Sequence, residues 1–529
     1  MNKLQGLIDK KVNLGEILNE NPDKLAVIGE RYQLTYRELN FYSDCMAAYL
    51  RTKKIKSGDP LIIFMPDCVE YIIVYLAAFK LNLNLAPANA LSKSMDLHQL
   101  VQQTEASYAI VLNEEEEALL NSLHMPLEIR KVSLDDDEFW NQYAPEDKYS
   151  YPTDLQVNGV YLSTSGSTGR LKFVVNSYLN EIKNALLYVE RMLVTRDDVI
   201  YTALPITQKF GMAAMLGSLI SGATFVISTS FHVENVISLL EQHKVSVQYG
   251  VPTIYIREMH CLKNMENMAD LSSLRVGIIA GSSVSRELLE WFDQTLDCRL
   301  LNCYGTSEIG GLTMTKYDDP AEVRYSSCGS LFAGATIEII GEQGELLPTG
   351  SLGEIVCQTP WSMTEYLKEK ELTESVLDEK GRFHTGDIAR IDEKGNLFFG
   401  SRKKSMIIRG GYNVFPAEIE RILENLSYIN ESCVLGYKDP CLGERICAYV
   451  SLKKKAALAP SPLYIRNELK QSISKYKLPD RIIILDEIPK LPNGKYNYSD
   501  LRKRMNDSEN PSGEYRREQN MTKTGTVFA

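Results

Sequence analysis

Short, wholly apolar runs alternate with longer stretches of helical spacing, and the alternation repeats through the long first part of the chain. Pro60-Leu-Ile-Ile-Phe-Met65 reads as a buried strand. The spacing after it predicts a helix capped by Asp67 and running to about Lys80, with Glu70 placed three residues on as in a capping box. Leu274-Arg-Val-Gly-Ile-Ile-Ala280 is a second apolar strand, broken at Gly281-Ser-Ser283. Ser285 to Leu296 returns to helical spacing, and Arg299-Leu-Leu-Asn-Cys303 to strand. Strand–helix–strand units in series predict an α/β fold whose large N-terminal domain holds layered, mostly parallel sheets flanked by helices.

After Asp387 the texture changes. Turn-rich Asp392-Glu-Lys-Gly-Asn396 precedes Leu397-Phe-Phe-Gly400 and the basic run Arg402-Lys-Lys404. A helix from Pro416, strands near Ser432–Gly436 and Arg445–Leu452, a helix over Leu463–Tyr476 and a strand over Arg481–Leu485 then suffice for a small α+β domain. Asn506–Ala529 is polar, nearly free of aliphatics, and reads as disordered. No internal repeat is visible.

Composition narrows the class. At 529 residues and 44% hydrophobic content, more than one core is expected. A net charge of -11 without a basic patch excludes a nucleic-acid scaffold, though not nucleotides held by local donors. The N-terminus lacks a signal-peptide core, and apolar stretches such as Tyr71–Phe79 are too short to span a bilayer. Ten scattered cysteines without a C-x-x-C pair read as reduced thiols of a cytoplasmic protein, and six dispersed histidines form no metal-ligand cluster.

The chemistry concentrates in Ser163-Thr-Ser-Gly-Ser-Thr-Gly-Arg-Leu-Lys172, which follows the apolar run Gly159–Leu162. Backbone N–H groups, hydroxyls and one ammonium are what a polyphosphate needs, but the same composition suits a flexible surface loop. Neither Walker nor Rossmann spacing is present. Gly281-Ser-Ser283 and Tyr304-Gly-Thr-Ser-Glu308 also fall at strand ends, where parallel sheets collect their ligands. The convergence favours a phosphate site.

With Leu34-Thr-Tyr-Arg-Glu-Leu39, Thr164–Gly169 with Lys172, Tyr304–Glu308, Thr385-Gly-Asp387, Arg402 with Gly410-Gly411, Pro416-Ala-Glu-Ile-Glu420 and Pro492-Asn-Gly-Lys495 in order, the chain resembles the adenylate-forming superfamily over roughly residues 14–505. That superfamily comprises acyl- and aryl-CoA synthetases, luciferase-like enzymes and peptide-synthetase adenylation domains. The resemblance implies an N-terminal AMP-binding domain over 1–401, a hinge at 402–404 turning on Lys404, and a mobile C-terminal lid over 405–505. It implies ATP and Mg²⁺, a small-molecule carboxylic acid, and CoA or a carrier-protein pantetheine as acceptor. The assembly, monomer or homodimer, stays open.

By resemblance, Thr164, Ser165, Gly166, Ser167, Thr168, Gly169 and Lys172 would cradle the β- and γ-phosphates, with Thr168 and Lys172 also catalytic. Glu308 and Thr168 would hold the magnesium ion, and Thr306 would lie near the α-phosphate. Tyr304 would stack on adenine beside Gly281, Ser282 and Ser283, with Asn302, Cys303 and Gly305 in the same nucleotide wall. Asp387 and Arg402 would grip the ribose, and Lys495 would reach the α-phosphate and the substrate carboxylate. The glycines at 410 and 411 would let a pantetheine arm pass, though they suit a plain turn equally. Gln208, Lys209, Phe210, Gly211 and Met212, with Gly281 and Gly305, would line the substrate pocket. His384 is read as a packing or hydrogen-bonding residue.

The chain departs from the family pattern in three places. Its phosphate loop ends Leu171-Lys172-Phe173 instead of Pro-Lys-Gly, Gln208 stands where many acyl-CoA synthetases carry histidine, and Ser401 replaces a glycine before Arg402. No aspartate falls in Ile206–Gly211, which disfavours an α-amino acid substrate. Lys209 either pairs with a second acidic group on the substrate or points outward. The implied activity is carboxylic acid activation through an acyl-adenylate, then thioester formation on CoA. Loading of a separate carrier protein is the alternative, and a catalytically weak binding protein a more distant one.

Overall fold

The computed structural model describes residues 20–144, 158–165, 171–229, 232–282, 284–402, 407–409, 412–414, 416–439, 442–453, 460–473, 475–491 and 496–507. The chain divides into two compact units, Met1–Phe399 and Gly400–Ala529.

Two extended sheets organise the first unit. The larger has nine strands, and its centre is a parallel array in the order Arg299–Thr306, Val276–Ile279, Val247–Gly250, Val199–Thr202, Thr224–Val226 and Leu25–Ile28. Antiparallel strands close both edges: Gln33–Thr35 at one, Gly310–Met314 and Ser330–Leu331 at the other. The second sheet has seven strands. Asn158–Ser165, Asn84–Ala88, Pro60–Phe64, Tyr108–Val111 and Glu128–Lys131 run parallel, while Leu171–Ser177 folds back on Asn158–Ser165 as a hairpin and Glu365–Tyr366 adds the edge. Strands such as Pro60–Phe64 and Val276–Ile279 are apolar throughout because helices cover both of their faces. A further four-stranded sheet carries Phe383–Ile391 and Leu397–Arg402.

Local signals explain many boundaries. Thr35 Oγ1 accepts from the Glu38 N–H (3.2 Å) and Glu38 returns a carboxylate oxygen to the Thr35 N–H (2.8 Å), so the Leu34–Leu39 motif is a capping box starting the helix Tyr36–Thr52. The helix expected over Ser285–Leu296 spans Arg286–Leu296, and Ser285 caps it through the Leu288 N–H at 3.3 Å. The Asp67 expectation is corrected. The helix begins at Val69 with Cys68 as its flanking residue, and both Asp67 carboxylate oxygens accept from the distant Ile206 N–H at 3.3 Å.

The second unit is built on Tyr412–Val414, Ile407–Arg409, Gly443–Leu452 and Ile429–Asp439, with Arg481–Leu485 parallel to Gly443–Leu452. The helix Pro416–Glu424 packs its apolar side into this unit's core through Ile419 and Leu423. The predicted helix over Leu463–Tyr476 is shorter than expected. It spans Pro462–Leu469, and a 3₁₀ turn at Lys475–Lys477 follows so that Leu478 can be buried. The terminal helix, Tyr498–Asp507, runs into the stretch read as disordered, whose remainder from 508 lies outside the described residues. The nine described cysteines are free thiols, no metal-binding cluster occurs among the described residues, and no described helix is long and apolar enough to cross a membrane.

Candidate active site

The order of the nine-stranded sheet reverses between Val247–Gly250 and Val199–Thr202, and sheets of this kind take their ligands at the carboxyl ends beside such a reversal. Gln208 follows one of these strands, and Gly281 and Ser282 follow Val276–Ile279. The register Ile279↔Asn302 places Gly281 and Tyr304 each two residues beyond a matched pair. Gly281 has φ +91°, a conformation that suits a residue without a Cβ. Gly305 is required by space: a Cβ there would stand 2.2 Å from the Gly310 carbonyl oxygen across the tight hairpin.

Tyr304 and Asp387 meet although 83 residues separate them. The phenol donates to Asp387 Oδ2 at 2.7 Å, and its ring lies 5.8 Å from that of Phe399. Burial, together with the Asp387 carboxylate, pushes the Tyr304 phenol well above its usual range, so it stays a donor. Thr385 Oγ1 accepts from the Asp387 N–H (3.0 Å) and donates to the Ile355 carbonyl (2.9 Å), which fixes the Thr-Gly-Asp turn. Asn302 and Cys303 sit deeper. Asn302 donates to the Ser327 carbonyl at 2.9 Å, and Cys303 is a buried thiol raised by desolvation. His384 stands 3.6 Å from Asp378.

The two ends of the phosphate-loop motif lie on the paired strands Asn158–Ser165 and Leu171–Ser177, in the register Thr164↔Lys172. Gly166, Ser167, Thr168 and Gly169 lie outside the described residues, as do Ser283, Lys404, Gly410, Gly411 and Lys495 and the side chain of Ser165. At the hairpin base, Thr164 Oγ1 donates to the Lys172 carbonyl at 3.4 Å, and Lys172 Nζ stands 5.5 Å from the centroid of the Tyr366 ring. The departures around Lys172 have a packing reason. Phe173 is buried in the core beneath the hairpin, and Leu171 packs against the same cluster.

Glu308 follows Thr306, whose hydroxyl accepts from the N–H groups of Glu308 (3.3 Å) and Ile309 (3.4 Å). Its Oε1 accepts from the Tyr366 hydroxyl at 2.8 Å. Tyr366 therefore touches both charged groups of the predicted phosphate site. It escaped the sequence reading because Glu365–Tyr366 is a two-residue edge strand with no motif spacing. Glu308 forms no ion pair among the described residues, and a single carboxylate oxygen acceptor suits a magnesium ion that takes its other ligands from phosphate and water.

The pocket wall brings a correction. Lys209 neither points outward nor awaits a substrate group: its Nζ donates to Glu181 Oε1 at 2.8 Å, with the two side chains 7% and 0% exposed. Gly211 permits the approach of the helix to the preceding loop, since a Cβ there would stand 2.3 Å from the Pro205 carbonyl oxygen. Met212 is fully buried, and Phe210 packs edge-on against Tyr188 (5.8 Å) and tilted against Tyr249 (5.5 Å). The Gln208 side chain is half-buried and makes no hydrogen bond among the described residues. In the second unit, Arg402 is exposed at the end of Leu397–Arg402. Lys490 pairs with Glu431, and its backbone bridge to Tyr496 brings together the two sides of residues 491–495.

A doubly wound sheet, a hydroxyl-rich hairpin and a tyrosine–aspartate pair at the strand ends define a nucleotide-binding protein, and residues 15–367 match the AMP-binding enzyme family. Residues 418–495 match the AMP-binding enzyme C-terminal domain. The chain belongs to the AMP-binding enzyme family. It is 28% identical over 501 residues to the medium-chain fatty-acid–CoA ligase of Escherichia coli, covering 91% of this chain and 88% of the relative. It is 26% identical over 498 residues to enterobactin synthase component E of the same organism, covering 91% of each. The ATP-bound crystal structure of MatB from Rhodopseudomonas palustris shares the fold at TM-score 0.85 and 24% identity, covering 94% of this chain and 99% of that one.

Proposed function

We propose that the chain is an AMP-forming acid–CoA ligase. A carboxylate oxygen of the substrate attacks the α-phosphorus of ATP, the bond to the bridging oxygen of the β-phosphate breaks, and pyrophosphate leaves. The CoA sulfur then attacks the acyl carbon of the adenylate. The carbon–oxygen bond to AMP breaks, and the thiol proton passes to solvent. No general base is needed for the first step, because the carboxylate is already ionised at neutral pH.

The observations that carry this reading are the contacts of Tyr366 with Lys172 and Glu308 and the Tyr304–Asp387 hydrogen bond, in a chain of this family. Lys172 and the hydroxyls of Thr164, Ser165, Ser167 and Thr168 would take the β- and γ-phosphates, and Glu308 with Thr168 would hold the magnesium ion that comes with ATP. Asp387, oriented by Tyr304, accepts from the ribose hydroxyls, with Arg402 beside the same sugar. Lys495 offsets charge at the α-phosphate, where two anions must approach. The half-buried Gln208 amide would meet the carboxylate end of an aliphatic or aromatic acid. The names of the relatives favour CoA over a carrier protein as acceptor, and the cytoplasm is the compartment that reduced, scattered cysteines fit.

The test is AMP release by purified protein with Mg·ATP across fatty acids of graded length and benzoate-type acids, with CoA and with phosphopantetheinylated carrier proteins in parallel. Acid-dependent AMP and acyl-CoA together are expected. AMP release with transfer only to a carrier would reassign the acceptor, and no AMP with any acid would overturn the activity. Lys495→Ala should lower adenylate formation ~10²–10³-fold, the usual loss when one transition-state donor is removed. It should leave thioester formation from supplied acyl-adenylate intact.

A further inference from the structure

Glu308 and Lys172 both lie against Tyr366, yet among the described residues neither enters an ion pair, with the other or with anything else. A carboxylate and an ammonium so placed in a partly buried setting attract each other strongly. Direct pairing would neutralise both before a nucleotide arrived. We propose that Tyr366 is a positioning residue that holds these two charges apart and presents each to Mg·ATP. Its hydroxyl occupies one oxygen of Glu308 and leaves the second for the magnesium ion. Its ring face holds the ammonium of Lys172, which can move from it to phosphate. The inference rests on the function proposed above.

The backbone fixes this tyrosine from both sides. Residues 364–367 run along the hairpin strand, with the Thr364 N–H on the Val175 carbonyl (2.9 Å), the Leu367 N–H on the Phe173 carbonyl (2.9 Å) and Tyr366 opposite Val174. One residue earlier, the Met363 N–H donates to the Glu308 carbonyl at 2.6 Å. The segment 363–367 thus straps the seven-stranded sheet, which carries Lys172, to the end of the nine-stranded sheet, which carries Glu308. The Tyr366 N–H donates to Thr373 Oγ1 at 3.0 Å, and the side chain is 5% exposed. Of the natural aromatic side chains, tyrosine alone offers a face to the lysine and a hydroxyl to the carboxylate from one ring.

The test compares binding of Mg²⁺ with a non-cleavable α,β-methylene ATP analogue, and of AMP, to the wild type, Tyr366→Phe, Tyr366→Leu and Glu308→Gln by titration calorimetry. Tyr366→Phe keeps the ring and loses the hydroxyl. It should weaken analogue binding about tenfold or more, the ordinary worth of a hydrogen bond to a charged group. AMP affinity and melting temperature should stay within error, since AMP reaches neither Glu308 nor Lys172. Tyr366→Leu should weaken analogue binding further. If Tyr366→Phe binds the analogue as wild type does while Glu308→Gln is impaired, the positioning role is wrong and the site assignment survives. If Glu308→Gln also binds normally, the assignment of Glu308 itself fails. Equal loss of AMP and analogue affinity in Tyr366→Phe, with a lowered melting temperature, would mark the tyrosine as structural and overturn the proposal.

Discussion

Two lysines that the sequence places at one site meet opposite fates. At the first turn of the helix Lys209–Ser221, Lys209 is locked into a buried ion pair with Glu181 and closes a packed wall. At the base of the hairpin, Lys172 has only an aromatic face beside it among the described residues. A charge with a buried partner of its own is structural, because separating the pair strands two desolvated ions. A charge resting on a ring can move to a ligand at little cost. Local sequence does not separate the two cases, since Glu181 lies 28 residues before its lysine, on the preceding helix.

The largest effect that would test this contrast is on stability. Glu181→Gln leaves the Lys209 ammonium buried and unpaired, and should cost about 3–5 kcal/mol in denaturant unfolding. Replacing both partners with apolar residues, Glu181→Leu with Lys209→Met, should recover most of that loss. Single and double variants of equal stability would dissolve the distinction between the two regions. Lys172→Met should do the reverse: unfolding shifts by no more than about 0.5 kcal/mol, while acid-dependent ATP–pyrophosphate exchange falls ~10²–10³-fold. A smaller loss follows from Tyr304→Phe, which removes the bond to the buried Asp387. About 1.5–3 kcal/mol, shared between stability and AMP affinity, is expected for a hydrogen bond to a charged group.

A further effect, small within any one pH unit, is a pH dependence set by one buried carboxylate. Glu258 has no lysine partner among the described residues: it accepts from Gln248 Nε2 at 2.7 Å, and burial pushes it up to about 8 from an ordinary 4.5. The folded state then keeps a proton that the unfolded chain gives up above 4.5, so this group's contribution to stability falls as pH rises from about 4.5 to 8. Glu258→Gln should remove that decline, gaining on the wild type by at most about 1.4 kcal/mol per pH unit across the window. Parallel stability profiles for the two proteins would refute it.

What could be read from the sequence was what local chemistry decides. The helical spacing from Ser285 to Leu296 and the strand Arg481–Leu485, apolar from Ile482 on, each carry their signal within a few residues. Parallel strands were likewise legible, and Gly281, Tyr304 and Gln208 lie near or after the carboxyl ends of three of them. What escaped was set by distant partners. Asp67 looked like a cap but binds the Ile206 backbone, 139 residues away. Lys209 answers to Glu181, and Tyr366 acquires its role only because a short edge strand lands beside Lys172 and Glu308. The one usable hint for Lys209 was a charged residue opening a helix that carries no other charge. Such a position is rarely left unpaired.

The central claim, that a carboxylate of the substrate bonds to the α-phosphorus, has a direct test in oxygen transfer. With a supporting acid labelled with ¹⁸O in its carboxylate, each turnover with Mg·ATP and CoA should deliver one labelled oxygen to AMP, read by mass spectrometry. AMP free of label, with the heavy oxygen retained in the acid or found in inorganic phosphate, would contradict the account.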